Sequence, residues 1–151
     1  MAIIRNNKGE AVALAFGASE LRERRRRKRP VEREHFEQVA LFDWAAYHLK
    51  RLPELALLFA IPNGGKRSKA VAGKLKAEGV KSGVPDICLP VARGSYHGLY
   101  IELKAKGGKA STNQLVWLEK LRDQDYYACV CVGWESARNV IESYLAEKRL
   151  F

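Results

Sequence analysis

Hydrophobic and polar positions alternate along the chain in short, separable patterns, and these predict helices and strands in turn. Over residues 31–52, Val39, Phe42, Ala46 and Leu49 recur at three- and four-residue steps, with Glu34, Gln38, Leu41 and Ala45 as a neighbouring stripe. That is helical spacing, and Pro53 stops it. Residues 57–61 (LLFAI) form an apolar run closed by Pro62-Asn63-Gly64-Gly65, which reads as a buried strand entering a turn. Residues 66–78 read as a basic amphipathic helix ended by Gly79. Residues 87–91 and 99–104 are two strands around the turn Arg93-Gly94-Ser95-Tyr96-His97-Gly98, the second strictly alternating. Ser111 or Thr112 caps a helix over 113–122 with Leu115, Leu118 and Leu121 as its buried side. Residues 126–132 form another strand, and 135–148 a closing helix with Ala137, Val140, Ile141, Tyr144 and Leu145 on one face. The order α-β-α-β-β-α-β-α predicts an α/β fold, a mixed central sheet flanked by helices.

Length and composition set the class. The chain has 151 residues, 47% of them hydrophobic, and a mean hydropathy of -0.30, enough apolar material for one packed core. No apolar run approaches the ~18 residues of a membrane span. Arginines follow the N-terminal apolar stretch where a secretory signal would carry small residues, so a cytoplasmic protein is expected. Three cysteines without framework spacing suit a reducing compartment.

Charge divides the chain in two. The formal net charge is +10, and residues 1–30 alone hold nine basic and three acidic residues, with Arg25, Arg26 and Arg27 at the centre of the run. We read 1–30 as a basic, disordered arm and 31–151 as the folded domain. Such an arm either contacts phosphates with counterion release or is a solvated tail. Asn63, Gly64 and Gly65 form a turn that a phosphate can approach closely, and Lys66, Arg67, Lys74 and Lys76 follow it on a basic helix. This arrangement suits contact with a nucleic-acid backbone; a plain tight turn has the same sequence.

The chemistry concentrates in the alternating strand. Tyr100, Glu102 and Lys104 share one face, so a carboxylate and an ammonium point the same way. A hairpin turning near Gly94-Ser95 sets Asp86 opposite the Glu102-Leu103-Lys104 segment, with one or two residues of slippage allowed. Pro85 puts Asp86 at a strand entrance. Two hard carboxylates with room for waters suit Mg²⁺ or Mn²⁺, and Lys104 then stands beside the attacking water. The same ExK spacing also occurs on ordinary solvated strands. Tyr100 shares the face and is a candidate to line the site. His97 reads as a turn residue, Cys88, Cys129 and Cys131 as buried thiols, and Trp44, Trp117 and Trp134 as core or interface anchors.

Val84-Pro85-Asp86 followed by Glu102-Leu103-Lys104 resembles the PD-(D/E)xK signature of restriction-endonuclease-like nucleases. With Ile61-Pro62-Asn63-Gly64-Gly65, Lys74-Leu75-Lys76, Gly79, Gly83, Gly98-Leu99-Tyr100-Ile101 and Ser111 with Gln114, the resemblance narrows to the VRR-Nuc branch and covers roughly residues 34–145. It implies that Asp86 and Glu102 bind metal, that the Leu103 carbonyl completes the shell, that Lys104 is the site lysine, and that Gln114 is a helper. Glu34, one turn before Gln38, matches the first-helix acid, and Glu37 is its rival. Trp117 and Leu118 stand where some branches carry a tyrosine. Stand-alone domains of this size resemble phage or prophage proteins, which implies a homodimeric, structure-selective DNA endonuclease acting on branched DNA such as four-way (Holliday) junctions. The alternatives are a flap or single-strand nuclease on the same fold, an RNA substrate, or a non-catalytic nucleic-acid-binding module.

Overall fold

The computed structural model describes residues 3–5, 11–13, 30–62 and 68–148. Within the N-terminal arm, β1 (Ile3–Arg5) pairs antiparallel with β2 (Ala11–Ala13), a strand pair the sequence pattern did not suggest. The domain that follows has the expected order: α1 (Pro30–Tyr47), β3 (Phe59–Ala60), α2 (Lys69–Ala77), β4 (Ile87–Leu89), β5 (Leu99–Lys104), α3 (Thr112–Arg122), β6 (Tyr127–Val132) and α4 (Trp134–Ala146). Its sheet runs β3-β4-β5-β6, antiparallel except for the parallel β5–β6 pair that the α3 crossover permits. The α/β class with a mixed, helix-flanked sheet is therefore as the pattern predicts.

Pro30 opens α1, where a fixed φ and a missing N–H cost nothing. The helix ends at Tyr47, a turn earlier than expected. His48 donates its backbone N–H to the Trp44 and Ala45 carbonyls, its ring Nδ1 lies 2.8 Å from the Trp44 carbonyl, and the residue before Pro53 is steered away from helical backbone. The inward face also differs from the more apolar stripe. Leu41, Trp44 and Ala45 are buried, with Glu34 and Gln38 half-buried in line with them, whereas Val39, Ala46 and Leu49 are exposed. The less apolar of the two stripes, the one bearing Glu34, faces the sheet.

The 57–61 run is not a buried strand. Leu57 ends a 3₁₀ turn (Pro53–Leu57), and only Phe59 and Ala60 pair with β4, both exposed because β3 is the sheet's edge. Leu55 and Leu58 supply that segment's contribution to the core. On α3, Leu118 is buried, Leu121 half-buried and Leu115 52% exposed, since the helix lies over the outermost strand β6 and covers it with a single line of side chains. The closing helix behaves as expected: Ala137, Ile141, Tyr144 and Leu145 are buried, with Val140 against them. These residues pack with Leu41, Ile87, Leu89, Leu99, Ile101 and Leu103 into one core between the sheet and the α1–α4 pair. Each such side chain contributes roughly 1.5–3 kcal/mol by leaving water.

The consequence for the site is that β5 is covered on both faces. Residues 101–105 are all buried, so Glu102 and Lys104 are held inside the fold rather than on a solvated strand.

Candidate active site

Hairpin register fixes the first carboxylate. Ile87 pairs with Ile101, which puts Asp86 across from Glu102, and Asp86 Oδ2 accepts a 2.9 Å hydrogen bond from the Leu103 backbone N–H. Ile61 N–H donates to the Asp86 carbonyl at 2.7 Å, so the strand entrance is held from β3 as well. Pro85 is buried just before it.

Glu102 is fully buried, and Lys104 is 7% exposed. Lys104 Nζ lies 2.7 Å from Glu102 Oε1 and 3.5 Å from Glu34 Oε1. Gln114 Nε2 donates to the same Glu102 oxygen. The glutamine is positioned by a capping box: Ser111 Oγ accepts from Gln114 N, and Ser111 N donates to Gln114 Oε1 at 2.7 Å. Glu102 Oε2 is buried and has no hydrogen-bond partner in the protein. An orphaned carboxylate oxygen is costly unless something else meets it.

The electrostatics follow from this crowding. Burial pushes the Glu102 carboxyl up to about 7; the Lys104 hydrogen bond opposes the rise, and the charge of Asp86 adds to it. For Lys104, burial pulls the pKa down, but the Glu102 hydrogen bond and the carboxylates of Glu102, Glu34 and Asp86 outweigh it, and the net shift is upward. Lys104 is thus an ammonium at neutral pH, and Glu102 is poised to exchange its proton for another cation.

The two rival glutamates on α1 have different partners. Glu34 reaches Lys104, whereas Glu37 Oε2 accepts a 2.8 Å hydrogen bond from Trp134 N and so caps α4, whose N-cap residue Gly133 has no side chain to do so. Replacing Glu37 by alanine should cost about 1 kcal/mol of stability in a denaturation titration and leave any catalysis intact. Glu34→Ala should do the reverse.

Among the described residues, no group of three or more His, Cys, Asp or Glu stands close enough to hold a metal ion. Lys104 Nζ contacts both Glu34 and Glu102. The Asp86–Glu102 pair nonetheless fits a hard divalent cation: its oxygens are the right donors, and Glu102 Oε2 is an acceptor that the protein leaves unmatched.

The remaining sequence candidates divide. Lys74 and Lys76 are exposed on α2, Lys74 lying 3.8 Å from Glu78. Asn63, Gly64, Gly65, Lys66, Arg67, Arg25, Arg26 and Arg27 lie outside the described residues. Tyr100 packs its ring edge-on against Tyr126 at 5.3 Å, and burial pushes its hydroxyl up to about 12, so it is no base at neutral pH. His97 is exposed beside Tyr126. The three cysteines are free, Cys88 and Cys131 buried and Cys129 half-buried. Sequence reasoning missed Gly108. A Cβ there would lie 3.0 Å from the Ala105 carbonyl oxygen and 3.5 Å from both Glu34 Oε1 and Lys104 Cβ, so a side chain would crowd the turn that closes beside the ion pair. The Gly107-Gly108 doublet just after the ExK strand was the available signal.

A mixed sheet with a buried Glu–Lys pair, a facing aspartate and a capped glutamine at one end defines an α/β domain of nuclease type. The chain belongs to the VRR-NUC domain family, whose model matches residues 20–134. A solved structure described as a VRR_NUC domain protein is similar at 30% identity with a TM-score of 0.66, covering 78% of this chain and 91% of that one. A search of curated protein sequences gives no match. No helix among the described residues is long and apolar enough to cross a membrane.

Proposed function

We propose that this protein is a Mg²⁺- or Mn²⁺-dependent endonuclease of the PD-(D/E)xK type, hydrolysing phosphodiesters of branched DNA such as four-way junctions. The observation that carries the reading is Glu102, fully buried with one oxygen shared between Lys104 and Gln114 and the other unmatched, across from Asp86. A purely structural domain gains nothing from such a carboxylate, and a pure binder of nucleic acid gains nothing from inward acids that repel phosphate.

In this reading Asp86 and Glu102 hold the metal, with Glu34 and the Leu103 carbonyl as the other protein oxygens of the site. When bound, the divalent ion offsets charge on the substrate phosphate and makes water a better nucleophile. Lys104 orients that water and stabilises the charge that builds on the phosphate oxygens, a task its raised pKa suits. Gln114, itself held by Ser111, fixes the Glu102 carboxylate directly. Asn63, Gly64, Gly65, Lys66, Arg67, Lys74, Lys76 and the Arg25–Arg27 run contact the DNA backbone. Two symmetric strands of a junction need two sites, so the active form is a homodimer. The protein is of phage or prophage origin and works in the cytoplasm.

Labelled linear, single-stranded, flap and four-way-junction DNA, each incubated with protein in Mn²⁺, Mg²⁺ and EDTA, tests this directly. Metal-dependent cutting with preference for the junction is the expected result. Preference for flaps or single strands would leave the chemistry standing and replace the substrate, and salt-sensitive binding without cutting of any substrate would favour the binding module.

A further inference from the structure

Beside the carboxylates lies a cleft of about 320 Å³. Among the described residues its wall includes Ile61, Pro62, Val80, Val84 and Trp117, with Lys81 as its one charged member. Its position ties it to the site by three short links. Ile61 is hydrogen-bonded to the Asp86 carbonyl; Val84 precedes Pro85-Asp86; and Trp117 lies one turn beyond Gln114, on the same side of α3. The indole is locked in place. Its Nε1 donates to the Ser82 carbonyl at 3.1 Å, and Gly83, at φ +88, comes so close that a Cβ would lie 3.0 Å from the indole Cδ1 and 3.0 Å from the Asn113 backbone. A fixed, half-exposed tryptophan in an apolar slot lies outside the core that its sequence offered as one of its two places.

The surroundings select the occupant. The segment 68–84 carries Lys69, Lys74, Lys76 and Lys81 against Glu78 alone, and all five are exposed, so an anionic ligand is drawn to this edge. A slot with an aromatic wall, apolar sides and Lys81 in its lining, on a lysine-rich segment, matches a nucleotide: the base stacks and the phosphate meets Lys81. At the small end of ligand-pocket volumes, it takes one ring system and no stretch of stacked duplex.

We propose that this cleft is a nucleobase pocket, with Trp117 as its stacking surface, that receives one unstacked base adjacent to the phosphate being cut. The inference rests on the nuclease reading for its location and deepens it. Drawing a base out of intact duplex costs a few kcal/mol of stacking and pairing that an open strand has already lost, so the pocket favours single-stranded or branch-point nucleotides over uninterrupted duplex.

The test compares binding, in EDTA, of a short single-stranded thymidine oligonucleotide and its fully abasic counterpart of equal length and charge, using the full-length protein and its Trp117→Phe and Trp117→Leu variants. Wild type should favour the base-bearing strand by about tenfold. Trp117→Phe should retain most of that preference, and Trp117→Leu should lose it, while affinity for the abasic strand stays constant. Both variants remove the hydrogen bond to Ser82, so equal loss in the two would show that Trp117 is only a strut for the 79–84 loop. Equal wild-type affinity for both strands would overturn the pocket outright. Because the assay contains no metal and reads no cleavage, a chain that cuts nothing yet keeps the preference fails as a nuclease while the pocket stands. In a chain that cuts DNA without the preference, the nuclease stands and the pocket falls.

Discussion

Asp86→Asn and Glu102→Gln should each lower metal-dependent cleavage by at least about a hundredfold while leaving DNA affinity in EDTA unchanged or higher. The physical reason is the same for both. Each substitution preserves shape and removes one of the two negative charges that make this end of the sheet attractive to a divalent cation. Asp86→Asn retains an oxygen to accept from Leu103 N–H, and Glu102→Gln an oxygen to accept from Lys104, so the fold should persist. Circular dichroism and thermal melting separate loss of chemistry from loss of structure. Near-wild-type turnover in either variant would remove that residue from the catalytic set.

Lys104→Met should destabilise the protein in a pH-dependent way. With the ammonium gone, Glu102 keeps its burial and loses the cation that offsets it, and breaking a buried pair in this way costs roughly 3 kcal/mol when the remaining partner is charged. The sign follows from linkage. The folded-state pKa of Glu102 is raised to about 7 from an ordinary value of 4.5, so the folded state binds the proton more tightly than the unfolded chain. The stability this proton gives is present below pH 4.5 and is lost as pH rises through 7. In Lys104→Met the folded pKa moves higher still. Denaturant titrations should therefore show a deficit of about 1 kcal/mol relative to wild type at pH 5, where folded Glu102 is neutral in both proteins, and roughly 3 kcal/mol at pH 8. A deficit equal at the two pH values would mean that Glu102 is not the group Lys104 serves.

The parts of this site that the sequence made legible are those set by local pattern. Strict alternation over 99–104 and the turn at Gly94 set Asp86 opposite the 102–104 segment, and the β4–β5 register narrows this to Glu102. Ser111 was readable as a cap, although its reciprocal bond with Gln114, which aims the glutamine at Glu102, appears only in three dimensions. What stayed hidden was settled by distant partners. Glu34 and Glu37 are indistinguishable on α1 until Trp134 N, nearly a hundred residues away, takes Glu37. Residues 57–61 look as apolar as a central strand, but their place at the sheet edge leaves Phe59 47% exposed. The ordinary fate of an ExK tripeptide, a solvated strand face, is excluded only by helices on both sides of β5. Gly83 and Gly108 were visible as glycines, but the contacts that crowd a side chain there, with α3 at Gly83 and with the Ala105 carbonyl at Gly108, appear only in the fold.

A buried carboxylate, its pKa pushed upward by burial, is the proposed seat of a divalent ion. Calorimetric titration of Mn²⁺ into wild type and Glu102→Gln without DNA, at pH 6 and pH 8 and in buffers of different ionisation enthalpy, tests that assignment most directly. Wild type should bind Mn²⁺ more tightly at pH 8 than at pH 6, with proton release at the lower pH, and Glu102→Gln should lose the binding. Mn²⁺ binding of equal strength in the two proteins, or none by wild type at either pH, would contradict it.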